Sequence, residues 1–168
     1  MGGRSAAMAN LLPTSGNLYH HALEMLLKSG LLREYSHGDI KKKFGHNLPK
    51  IWTAFKVQFG TAQLDRFDTT ISALHKFEDI RYPDRILNEG ARMVVEWRSS
   101  TSENSRPSVP PVYRLVVNEL DCLIADIFDI CSLNLFFFTS HMIGTPHVQQ
   151  ILMDNNPIAE RLLPPSDR

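Results

Sequence analysis

Apolar residues recur at intervals of three and four positions along much of this chain. This spacing places side chains on one face of an α-helix. A wide apolar stripe begins at Gly16, and its width predicts a central helix that contacts more than one neighbour. Another helix is predicted between Asn47, a good helix cap, and Gly60, a good helix terminator. The clearest run predicts a helix over about residues 62–80, with apolar positions Leu64, Phe67, Ile71, Leu74 and Phe77.

Two short segments have a different pattern. Residues 91–98 alternate in polarity and are rich in strand-forming residues, and residues 112–116 have a similar composition. The segment between them is rich in serine and proline and is typical of a loop. We therefore predict a small β-hairpin insert at about residues 91–117. The predicted fold is all-α, an up-and-down bundle of four to five helices carrying this hairpin.

The chain is expected to form one domain. Its 168 residues, 43% hydrophobic and 21% charged, are typical of a single globular unit. We predict a flexible N-terminus over residues 1–15, a single helical domain over 16–154 and an extended tail over 155–168. Lys and Arg together number 18, as do Asp and Glu, so the net charge gives no general attraction for nucleic acid.

The two cysteines and the apolar segments bear on cellular location. Cys122 and Cys131 are separated by about 13 Å if they share one helix, which is too far for a disulfide. The strongest apolar run, residues 133–138, is shorter than a membrane span. We expect a cytoplasmic protein with reduced cysteines and no membrane association. If residues 133–138 are exposed, we expect them to form a dimer interface.

Three motifs follow one another in the predicted helical region. The first lies on the first long helix and consists of His21, Ala22, Glu24, Leu27 and Lys28. The second is Gly45-His46-Asn47-Leu48 and the third is Arg81-Tyr82-Pro83-Asp84. Taken in this order, the motifs resemble those of the HEPN (higher eukaryotes and prokaryotes nucleotide-binding) superfamily. The resemblance covers roughly residues 15–135.

The resemblance implies a helical bundle that is often dimeric. It also implies a role around RNA or nucleotides, frequently in bacterial stress, defence or toxin–antitoxin systems. Ribonuclease members carry an arginine followed, after four to six residues, by a histidine. This chain lacks that pair, and its nearest approach is Arg33 with His37.

We therefore predict a non-catalytic module that binds RNA, a nucleotide or a partner protein, as a homodimer. One alternative is a diverged metal-independent ribonuclease that uses Arg33 and His37, or His46 and Arg81. The other alternative is a structural dimerisation module without a ligand.

The candidate ligand-binding residues are Lys28, His46, Arg81 and Asp84. Each also has a structural interpretation. Lys28 can pair with Glu24 one turn away, His46 can fix a turn, Arg81 can cap its own helix, and Asp84 can act as a turn residue. His20 and Glu24 share a helical face that a metal could use, but the sequence indicates no third ligand. We therefore predict neither a metal nor a cofactor.

Overall fold

The computed structural model describes residues 1–60, 62–81, 84, 87, 88, 90–98, 112–143 and 145–163; the side chains of 81 and 141–143 lie outside the description. The fold is mainly α-helical, as predicted. Eight α-helices have bounds within the described residues, so the prediction of four to five helices is too low. They are α1 (Gly2–Met8), α2 (Leu12–Leu31), α3 (His37–Phe44), α4 (Leu48–Phe59), α5 (Asp68–His75), α6 (Val117–Ile130), α7 (Leu135–Ile143) and α8 (Pro146–Met153).

Helix α2 lies at the centre of the core. It contacts α1, α4, α5, α6 and the first strand, and its residues Leu23, Leu27 and Leu31 are fully buried. Gly16 permits a close approach on one side, because a Cβ there would lie 1.9 Å from Cδ1 of Phe77. The wide apolar stripe of the sequence thus corresponds to a helix that is surrounded on several sides.

Helix α4 follows its sequence signals closely. The Asn47 side chain caps the helix by accepting a hydrogen bond from the backbone amide of Lys50 at 2.9 Å. Pro49 lies in the first turn, where a missing amide costs no hydrogen bond. Gly60 ends the helix in the left-handed conformation, with φ of 62°. The predicted start and end of this helix are both confirmed.

The predicted helix over residues 62–80 is divided into three. The segments Ala62–Phe67 and Lys76–Arg81 are 3-10 helices, and α5 lies between them. The apolar positions Leu64, Phe67 and Phe77 are all buried. The periodicity correctly indicated which residues face the core, because α- and 3-10-helices share a spacing of about three residues.

The N-terminal segment, predicted to be flexible, instead forms α1 and the start of α2. Arg4 is only 2% exposed and donates to the carboxylate of Asp121, to the carbonyl oxygen of Asp154 and, at 2.6 Å, to the carbonyl oxygen of Ile151. This single side chain therefore attaches α1 to α6 and to the end of α8. The acceptors come from distant parts of the sequence, so no local pattern near Arg4 predicts these hydrogen bonds.

The C-terminal segment, predicted to be extended, contains a 3-10 helix at Ala159–Leu162. Ile158 and Leu162 are buried in a small second cluster with Ala125 and Leu152. The last residues, 164–168, lie outside the described part of the chain.

Two strands, β1 (Arg92–Glu96) and β2 (Val112–Val116), pair with each other. Both strands lie where the sequence predicted them. They run parallel, with Arg92 opposite Val112, so the predicted hairpin is wrong. Parallel strands need a crossover of about a dozen residues, and the connection over 97–111 is long enough to provide one. The loop composition that suggested a hairpin tip carries no information on strand direction.

No helix in the described ranges combines the length and the apolar character that a membrane crossing requires. Cys122 and Cys131 are both free thiols.

Candidate functional site

The carboxylate of Glu24 is the centre of a polar cluster inside the bundle. Glu24 lies in the middle of α2 and is 1% exposed. Lys28 follows one turn later on the same helix, and its Nζ donates to Oε1 of Glu24 at 2.7 Å. The contact predicted from the four-residue spacing is therefore present, but its acidic partner is buried and not on a solvated face.

His46 reaches the same carboxylate from the turn before α4. Gly45, with φ of 55° and ψ of −124°, ends α3 in a conformation that other residues rarely adopt. The chain then brings Nδ1 of His46 to 2.9 Å from Oε1 of Glu24, while the His46 side chain stays 69% exposed. Lys28 and His46, taken from two different motifs, thus meet at one oxygen atom.

The charge state of Glu24 determines which ring nitrogen of His46 carries the proton. Burial of the Glu24 carboxylate opposes its ionisation, but the hydrogen bonds from Lys28 and His46 outweigh burial and hold the Glu24 pKa below its ordinary value of 4.5. An ionised carboxylate only accepts hydrogen bonds, so Nδ1 of His46 must donate. In the neutral ring Nε2 is then the acceptor, and it makes no hydrogen bond with the residues that the structure describes.

A second group of side chains lies on the other side of Glu24. The Nδ1 atom of His20, a fully buried residue, is 3.9 Å from Oε2 of Glu24. The rings of His20 and His75 have centroids 5.9 Å apart and planes inclined by 20°. Nδ1 of His75 lies 3.4 Å from Oε2 of Glu78. We call these four residues, His20, Glu24, His75 and Glu78, the His–Glu cluster.

The His–Glu cluster offers donor atoms that could hold a metal ion. One ligand atom from each of His20, His75 and Glu78 lies within 4.8 Å of the others. The sequence indicates His20 and Glu24 as a possible pair of ligands but not His75 and Glu78, which are more than fifty positions away. The only available signal was their three-residue spacing, which places a histidine and a carboxylate on one side of a helical segment.

The third motif can be followed only in part. Arg81 ends the 3-10 segment Lys76–Arg81, but its side chain and residues 82 and 83 lie outside the description. Asp84 is exposed. The predicted participation of Arg81 and Asp84 in a site therefore stays a prediction.

Arg33 and His37, one of the two alternative catalytic pairs, make separate contacts. Nη2 of Arg33 donates to the carbonyl oxygen of Cys131 at 2.7 Å, and the guanidinium lies 5.4 Å from the ring centre of Phe59. His37 is the first residue of α3 and is exposed. No hydrogen bond joins Arg33 to His37, both of which are described, and Arg33 is instead held by the carbonyl oxygen of Cys131.

No family model, curated protein or solved structure matches the chain. The HEPN resemblance therefore depends on the motif residues themselves. Two of these residues, Lys28 and His46, both make a hydrogen bond to a third, Glu24.

Proposed function

We propose that the protein is a HEPN-like helical module that binds phosphate groups of RNA or of a nucleotide at the surface formed by Lys28 and His46. The observation that carries this proposal is the convergence of both side chains on Oε1 of Glu24. A buried carboxylate holds the two donors in fixed positions, which reduces the entropy lost when a ligand binds.

The chemistry of the surface suits a phosphate oxygen. An ammonium group has three N–H donors, and only one of those on Lys28 is needed for Glu24. His46 directly precedes the N-terminus of α4, where the helix dipole favours an anion. The three lysines in the last turn of α3, Lys41, Lys42 and Lys43, are exposed and add positive charge to the adjoining helix.

A diverged ribonuclease is the second candidate, and one observation favours it. Because Glu24 fixes the proton of His46 on Nδ1, the free Nε2 is oriented to accept a proton from a substrate. Lys28 would then stabilise negative charge on the scissile phosphate. The first candidate requires binding alone, so measuring cleavage in the same samples distinguishes the two.

The remaining parts of the proposal follow from the resemblance. They are an up-and-down HEPN bundle, a cytoplasmic setting in bacterial stress or defence, and a homodimer. One feature of the surface supports the homodimer: Phe137 and Phe138 on α7 are 62% and 51% exposed, within the apolar run that the sequence analysis assigned to a dimer interface.

The test measures fluorescence anisotropy of a labelled single-stranded RNA and of a labelled nucleoside triphosphate, together with RNA cleavage on a gel. The variants are Lys28→Gln and His46→Ala. Lys56→Gln is a matched control, because Lys56 is also ion-paired and its side chain is 19% exposed against 18% for Lys28. Lys56 lies about 12 Å further along α4 from the His46 end.

We expect Lys28→Gln and His46→Ala to weaken binding about tenfold each, because each removes a charged or oriented hydrogen bond. Lys56→Gln should bind as the wild type does. Cleavage by the wild type that is lost in His46→Ala would favour the ribonuclease. Neither binding nor cleavage by the folded wild type would refute both candidates.

A further inference from the structure

We propose that the His–Glu cluster is a binding site for a divalent transition-metal ion such as Zn²⁺, with His20, His75 and Glu78 as ligands and the carboxylate of Glu24 beside them. This inference does not rest on the phosphate proposal. It departs from the prediction of no metal, which was made because the sequence indicates no third ligand beside His20 and Glu24.

The geometry brings two pairs of ligands together. His20 and Glu24 are four residues apart on α2, while His75 and Glu78 are three apart where α5 passes into the 3-10 helix. Zinc binds imidazole nitrogen and carboxylate oxygen at about 2.0–2.2 Å in tetrahedral geometry, so two ligand atoms of one ion lie about 3.3–3.6 Å apart. The ligand atoms of His20, His75 and Glu78 already lie within 4.8 Å of one another. Side-chain rotations that shorten these separations by up to about 1.5 Å would close the site.

The two oxygens of Glu24 provide an independent observation. Oε1 accepts from both Lys28 and His46. Oε2 is buried and has no hydrogen-bond partner among the described residues. A buried carboxylate oxygen without a donor is costly, and few native groups remain in this state. A cation between Oε2 and the imidazole of His20, 3.9 Å away, would satisfy it.

The donor set indicates the class of ion. Two imidazoles and a carboxylate suit Zn²⁺ and its first-row neighbours, whereas Mg²⁺ and Ca²⁺ prefer oxygen ligands alone. One side of the cluster is accessible to solvent, so an ion can enter there. His20 and Glu24 are fully buried, but the side chains of His75 and Glu78 are 31% and 25% exposed. An ion can therefore arrive past His75 and Glu78 and be enclosed by the other two.

Bound metal would also act on the neighbouring surface. Glu24 would face the ion at His20 through Oε2 and hold His46 and Lys28 through Oε1. Partners of this kind fix the tautomer and direction of an imidazole in known metal sites. The ion would thus order the surface of Lys28 and His46 without touching it.

The experiment uses the full chain, freed of metal by a chelator and dialysed, and titrates it with Zn²⁺ by calorimetry. Co²⁺ is added in parallel, because its visible absorption reports coordination by nitrogen and oxygen. The test variants are His75→Gln and Glu78→Gln, which are the more exposed ligands and whose replacement leaves the buried core intact. His37→Gln, on the exposed start of α3, is the matched control. Circular dichroism verifies that each variant is folded.

We expect one equivalent of Zn²⁺ to bind the wild type and His37→Gln, with a Co²⁺ absorption band in both. His75→Gln and Glu78→Gln should each bind Zn²⁺ at least tenfold more weakly and lose the band. The proposal is overturned if the wild type shows no saturable binding. It is equally overturned if both ligand variants bind as tightly as the wild type, because the cluster would then be a set of internal ion pairs.

Discussion

Arg4 offers the sharpest energetic test of this fold. Arg4→Met removes a buried guanidinium but keeps an unbranched apolar stem of similar reach. The variant loses three hydrogen bonds and leaves Asp121, which is 7% exposed, without the guanidinium that donates to it. Breaking a buried ion pair by removing one member costs about 3–5 kcal/mol. We expect that loss in the free energy of unfolding, measured by urea denaturation at pH 7.

A second arginine–aspartate pair on α6 supplies a matched control. Arg66 also pairs with an aspartate of α6, Asp126, but the Arg66 side chain is 61% exposed. An exposed pair of this kind contributes about 0–1 kcal/mol, so Arg66→Met should change stability little. If Arg4→Met and Arg66→Met lower the free energy of unfolding equally, burial is not the reason that the Arg4–Asp121 pair stabilises the fold.

The loss caused by Arg4→Met should also depend on pH. Burial raises the pKa of Asp121 from 3.8 to about 6 despite the Arg4 guanidinium beside it. Below pH 6 the Asp121 carboxyl group becomes neutral, and Arg4 no longer offsets a buried charge. The destabilisation should therefore shrink as the pH falls from 7 to 5. A loss that stays constant over this range would contradict the assignment of the charge to Asp121.

Three further changes test separate parts of the structure. Gly16→Ala places a Cβ against the ring of Phe77 and should lower the free energy of unfolding, measured by urea denaturation, by about 1–3 kcal/mol. Adding Phe77→Leu should restore part of this stability. Asn47→Ala removes the cap of α4 and should cost about 1 kcal/mol; an unchanged midpoint would show that the cap contributes nothing. Phe137→Ser should shift a dimer to a monomer in light scattering, and a monomeric wild type would exclude α7 as a dimer face.

Local signals predicted the local structure well. Asn47 and Gly60 marked both ends of α4, because capping depends on side chains within one turn of the helix end. Both strands were found from their composition and alternation. Their relative direction was not, because it depends on the path of the chain between them and not on the residues in the strands.

The sequence named Lys28 and His46 as site residues, but it predicted the contacts between side chains only where these contacts are local. The Lys28–Glu24 pair follows from a four-residue spacing on one helix. The approach of His46 to the same oxygen depends on how α4 packs on α2, and His75 approaches His20 for a similar tertiary reason. Arg4 is the extreme case, because nothing near it in the sequence distinguishes a buried arginine from a solvated one.

The parallel pairing of β1 and β2 has a consequence for the order of folding. A hairpin can form from its turn outward, but these parallel strands must first be brought together across the 15 residues that separate them in sequence, which costs entropy before any ladder bond forms. Strand β2 packs on α5, so the helical core offers a surface on which the strands can meet. We therefore expect the sheet to gain its protection against hydrogen exchange later in refolding than α2 and α4.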